Sequence, residues 1–118
     1  MAYIGVDLIE IDRIEKALQR WGQKFLNRVY TAPEQDICRR KANALAVRFA
    51  GKEAVMKMLG TGRKGAGWKD IEILAHDSGK PVVQLNGRAL KKARELGITT
   101  IEISLSHSRE NAVATVIG

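Results

Sequence analysis

Cysteine occurs once in this 118-residue chain, proline twice, and aromatic residues make up only 5% of it. Cys38 has no partner for an internal disulfide and no metal-ligand spacing around it, so the sequence predicts a fold held by its core in a reducing compartment. No apolar run approaches the roughly 20 residues that a membrane-spanning helix needs. The opening MAYIGVDLIE has neither a basic leader before an apolar run nor a small-residue cleavage site, so a cytoplasmic location is expected and no membrane partner. Scarce aromatics also count against a single-stranded nucleic-acid platform, which stacks bases on exposed rings. Acidic residues are outnumbered 20 to 13 by Lys and Arg, leaving a formal net charge of +7. That excess predicts an anionic partner: a duplex, a lipid surface, an acidic protein or a small phosphorylated ligand. What is there, 45% apolar and 28% charged residues, fits one globular domain over residues 1–118.

Along the chain, Ile4, Val6 and Leu8 alternate with Tyr3, Gly5, Asp7 and Ile9, which predicts a strand buried largely on both sides. A helix follows, with Asp12 as its cap, Glu15 three residues on, and Ile14, Ala17, Leu18 and Trp21 as its apolar stripe. Its other face carries Arg13, Lys16, Arg20 and Lys24. Thr31, Pro33 and Glu34 spell a second helix start with a capping box. From Asn43 to Leu59 a third helix is apolar almost all round, which predicts a central position, and Gly60 and Gly62 end it. Ile71 and Ile73, a turn at 77–80, and Val82 to Leu85 read as a hairpin. A helix over 88–96 stops at Gly97, and 99–108 and 111–117 alternate as two final strands. The order predicts an α+β fold whose antiparallel or mixed sheet packs around a long central helix.

Two acids stand out. Asp7 lies inside an apolar strand, where an ionised carboxylate needs backbone amides, a lysine or a metal to offset its desolvation. Glu53 sits on the central helix among Phe49, Ala50 and Met56, and Lys57 four residues on offers it an ordinary helical ion pair. Together the two acids also make a half-site for magnesium, which takes one or two carboxylates and completes its shell with water and phosphate oxygens. His107 shares a face with Ile101, Ile103 and Leu105, so a core histidine with its bonds satisfied is expected. Ser104 and Ser106 lie on the opposite face, against a serine–histidine nucleophile pair. The turn Ser78-Gly79-Lys80-Pro81 leaves Lys80 open to a phosphate or a nucleotide ring. Gly60, Gly62, Gly65 and Gly67 with Arg63 and Lys64 suit an anion-binding loop, and the basic helix face suits either solvent or an acidic protein helix. An alternative assignment is a basic nucleic-acid-binding module gripping phosphates with 13–24 and that loop, which leaves Asp7 and Glu53 without a purpose.

The ordered set Ile4-Gly5-Val6-Asp7, Arg48-Phe49-Ala50-Gly51-Lys52-Glu53-Ala54, Gly79-Lys80-Pro81 and Ser104-Leu105-Ser106-His107 resembles the holo-(acyl-carrier-protein) synthases. Phe25-Leu26-Asn27-Arg28 followed by Thr31 and Glu34, and Leu59-Gly60-Thr61-Gly62, extend the likeness over essentially the whole chain. The resemblance implies a short bacterial 4'-phosphopantetheinyl transferase, a homotrimer with active sites between adjacent subunits. Such an enzyme moves the phosphopantetheine arm of coenzyme A onto a serine of apo acyl carrier protein for fatty acid biosynthesis and releases 3',5'-ADP; no nucleic acid takes part. Carried over by position, Asp7 and Glu53 are the ligands of Mg2+, and Glu53, Lys57 and His107 the catalytic groups. Lys57 and His107 lie near the coenzyme A phosphates, and Lys80 with Pro81 borders its nucleotide end. Arg13, Lys16, Arg20, Lys24 and Arg28 dock the carrier protein. Gly51 departs from the larger small residue, such as alanine, that the family often carries there.

Overall fold

One helix organises the molecule. In the computed structural model, which describes residues 2–62 and 66–118, every residue from Leu45 to Leu59 is buried except Glu53 and Lys57. That helix, α4 (Ala42–Leu59), is preceded by β1 (Ile4–Glu10), α1 (Ile11–Trp21), α2 (Gln23–Val29) and α3 (Ala32–Cys38). A 3-10 turn (Trp68–Asp70), β2 (Ile71–Ala75), β3 (Pro81–Leu85), α5 (Gly87–Glu95), β4 (Glu102–His107) and β5 (Asn111–Ile117) follow it. No helix among the described residues is long and apolar enough to cross a membrane.

The strands form two antiparallel sheets, one ordered β1-β5-β4 and the other β2-β3. Helix α4 lies against one face of the three-stranded sheet so closely that a Cβ on Gly5 would fall 2.0 Å from the carbonyl oxygen of Ala54. Only glycine permits that approach, which explains the residue beside Asp7. The other face of β1 corrects the expectation of a strand buried on both sides. Ile4, Val6 and Leu8 remain exposed, because α4 covers only the face that carries Gly5, Asp7 and Ile9.

The basic helix is also two helices. Gly22, at φ 54°, breaks the chain direction after Trp21, so Lys24 and Arg28 belong to α2 while Arg13, Lys16 and Arg20 belong to α1. Asp12 is not a cap: Glu10 holds that position without a side-chain bond, and Asp12 instead pairs with Lys16 at 2.9 Å on the surface. The α3 start is as expected, with Thr31 Oγ1 accepting from the Glu34 amide and the Glu34 carboxylate accepting from the Thr31 amide. Residues 99–101 stay outside β4.

Candidate active site

Asp7 and Lys57 meet where α4 crosses β1. The Lys57 ammonium donates to Asp7 Oδ1 at 3.0 Å and to the Val6 carbonyl at 3.2 Å, so among the described residues the carboxylate pairs with this lysine. Glu53 lies one helical turn before Lys57, on the same side of α4. These are the two positions at which the buried run of α4 opens. From Leu45 to Leu59 the helix is otherwise buried, and from this opening Lys57 reaches Asp7 on β1. The donor set fits a hard divalent cation, since it consists of carboxylate oxygens and the Lys57 ammonium already stands at Asp7 Oδ1 where a cation would.

His107 corrects the expectation of a core histidine. It is exposed at the end of β4, and its Nδ1 lies 3.2 Å from the Ser108 carbonyl oxygen. The register Ile9–Ala112–His107 and the adjacent row Asp7–Ala114–Leu105 put His107 and Asp7 on the same sheet face. Two strand spacings and one two-residue step separate them, about 12 Å between backbones. Lys80, at the tip of the β2-β3 hairpin, pairs with Glu102 at 3.1 Å, and Pro81 opens β3 beside it. Glu102 and His107 are the two ends of β4, roughly 17 Å apart along a strand. One chain therefore joins Asp7 to Lys57, sets Glu53 one helical turn from Lys57, and leaves Lys80 and Pro81 far from His107.

Arg13, Lys16, Arg20, Lys24 and Arg28 are all exposed. Beside them runs a cleft of about 520 Å³ lined by Ala17, Trp21, Phe25, Val29, Phe49 and Trp68, with Lys24 and Arg28 at its margin. Arg20 lies 4.8 Å over the Trp21 ring, and the Phe49 and Trp68 rings are 4.7 Å apart. The surface thus joins positive charge to an apolar groove, which suits an amphipathic acidic helix better than a bare phosphate chain.

The sequence model of the 4'-phosphopantetheinyl transferase superfamily matches residues 3–116. The chain belongs to that superfamily. Among curated relatives, the holo-(acyl-carrier-protein) synthase of Herpetosiphon aurantiacus is 49% identical over all of this chain and 98% of its own length. A crystal structure of the Helicobacter pylori holo-(acyl-carrier-protein) synthase in complex with coenzyme A superposes with a TM-score of 0.87 at 34% identity, over 96% of each chain. The Bacillus anthracis structure, in complex with coenzyme A (3',5'-ADP), superposes at 0.79 with 36% identity over 98% of this chain and 93% of that one.

Within this transferase fold the structure adds a cluster that sequence reasoning missed. Glu34 and Lys52, both with wholly buried side chains, pair at 2.8 Å. The Lys52 ammonium also donates to the carbonyls of Trp68, at 3.0 Å, and Ile71, while Glu34 Oε2 accepts from the Ile73 amide at 2.9 Å. Burial pulls the Lys52 pKa down and the Glu34 charge opposes that pull. The signal was available: a lysine within the apolar run of α4 needs a buried acceptor as much as Glu53 needs a partner. The aromatic wall was likewise invisible, because Trp21 reads as core and yet stays exposed. Arg63, Lys64 and Gly65 of the expected anion-binding loop lie outside the described residues.

Proposed function

We propose that this chain transfers the 4'-phosphopantetheine group of coenzyme A to a serine of an apo acyl carrier protein, with Asp7 and Glu53 holding Mg2+. The observation that carries the proposal is the break in the buried run of α4 at Glu53 and Lys57, one turn apart, with Lys57 binding Asp7 of β1. Family membership and the coenzyme A bound to relatives of the same fold support the substrate.

In the reaction the serine oxygen forms a new bond to the phosphorus that bears the pantetheine arm and gives up its proton to solvent, while the bond from that phosphorus to the oxygen of 3',5'-ADP breaks. Magnesium, when bound, supplies neutralisation of the charge on the pyrophosphate oxygens. Asp7 and Glu53 are better used as ligands than as bases, because a metal-bound carboxylate is a poor proton acceptor. Lys57, released from Asp7, places a positive charge beside the same phosphates, and His107 adds a second donor. Lys80 and Pro81 border the nucleotide end.

We place the site between copies of a homotrimer in the cytoplasm, with residues 1–118 as one domain. One observation supports the oligomer: Ile4, Val6, Leu8 and Ile117 leave an apolar row exposed on the outer sheet face. Light scattering should give three chains per particle, and a monomer would contradict this part. Arg13, Lys16, Arg20, Lys24 and Arg28, with the aromatic cleft, form the surface for the carrier protein. The test of function is mass spectrometry of apo carrier protein incubated with the enzyme, coenzyme A and Mg2+. A phosphopantetheine adduct is expected; unmodified carrier would overturn the assignment.

A further inference from the structure

We infer that the buried Glu34–Lys52 pair is a positioning device for the carrier-protein cleft, anchoring the Trp68 turn against Phe49 so that the aromatic wall stands ready. The inference rests on the proposed transferase reading for its kinetic arm and on geometry alone for its spectroscopic arm.

The three protons of the Lys52 ammonium are matched by three acceptors: Glu34 Oε1, the Trp68 carbonyl and the Ile71 carbonyl. Glu34 closes the other side, with Oε1 on the Thr31 amide and Oε2 on the Ile73 amide. One buried point thereby ties together the start of α3, the middle of α4, the 3-10 turn and the length of β2. An apolar plug of the same volume would fill this space as well, and replacing buried ion pairs in that way commonly costs no stability. What an apolar plug cannot do is fix where two backbone carbonyls and an amide point. Of these, the Trp68 carbonyl bears on function. Its residue supplies one wall of the cleft, and its ring leans on Phe49, which lies three residues before Lys52 on the same helix. The turn also closes on itself, with the Ile71 amide donating to the Trp68 carbonyl, Asp70 Oδ2 accepting from the Gly67 amide and the Asp70 carbonyl accepting from the Asn86 amide. Lys52 adds the bond that ties that same Trp68 carbonyl to α4.

Removing Lys52 alone would strand a buried carboxylate, so the informative variant is the double substitution Glu34→Gln with Lys52→Met, which removes both charges and keeps one amide oxygen to accept from Thr31 or Ile73. In a Trp21→Phe background Trp68 is the only tryptophan. The double variant should keep its far-ultraviolet circular dichroism, while Trp68 emission moves to the red and acrylamide quenches it more strongly. The carrier-protein KM should rise about tenfold, with kcat and the coenzyme A KM within about twofold. Unchanged Trp68 emission and quenching overturn the inference. So does a rise in both KM values together, which a loosened core would produce. If the parent protein transfers no phosphopantetheine, the functional reading falls, and the Trp68 signals alone still decide the role of the pair.

Discussion

Two lysine–carboxylate pairs hang from the same helix, five residues apart, and are built for opposite purposes. Lys52 and Glu34 are sealed from solvent and every strong donor and acceptor between them is matched. Lys57 and Asp7 sit at the helix's one opening, with the lysine 58% and the acid 12% exposed. A sealed pair is costly to break, since loss of either member leaves a charge in a medium that cannot solvate it. An open pair is exchangeable: water, a metal ion or a phosphate can take the place of either partner. The chain keeps its rigid ion pair where it needs a frame and its labile one where substrate must enter.

The largest expected effect falls on the open pair's side. Asp7→Ala or Glu53→Ala should lower kcat by about 10³-fold or more, roughly 4 kcal/mol, with the melting temperature shifted only slightly. Full activity in either variant would falsify the ligand assignment. Stability should show the reverse pattern. Glu34→Ala should cost about 3–5 kcal/mol in urea denaturation, whereas Lys57→Ala should cost about 1 kcal/mol or less. Equal losses would erase the distinction between the pairs.

A smaller effect is expected outside both pairs. Reversing the charge of Arg13 or Arg20 should raise the carrier-protein KM about tenfold while the coenzyme A KM stays put; parallel changes would count against a docking helix. The smallest effect concerns Tyr30, which lies beside the sealed pair and donates to the Leu45 carbonyl at 2.8 Å. Burial raises its phenol pKa well above the usual range. Above about pH 10 the unfolded chain therefore sheds a proton that the native state keeps, and stability falls as pH rises, by at most about 1.4 kcal/mol per pH unit. Tyr30→Phe should lose about 1 kcal/mol at neutral pH and show a shallower alkaline fall. Parallel stability curves from pH 8 to 11 would contradict this account.

The sequence carried most of the fold because its signals were local: the period of α4, the Thr31–Glu34 capping box and the hairpin turn each depend on neighbours in the chain. It misled where long-range packing decides. Whether the outer face of β1 is covered depends on what lies across the sheet, and His107 follows core parity yet ends beyond the core. Gly22 splits a stripe that period alone reads as one helix. Asp7 and Glu53 were legible because a charge in an apolar segment demands an explanation, and the same logic applied to Lys52 points to Glu34. Gly51 reads as a mere loss of helix propensity. In the structure a Cβ there would come 2.4 Å from Ile73 Cδ1, so the missing methyl is space that Ile73 occupies.

The decisive measurement is calorimetric titration of Mg2+ into the protein in the presence of coenzyme A, for the parent, Asp7→Asn and Glu53→Gln. One magnesium ion per active site in the parent, with binding weakened by a factor of ten or more in each variant alone, is the predicted result. Unaltered magnesium affinity in either variant would show that the β1 acid and the α4 acid do not share an ion.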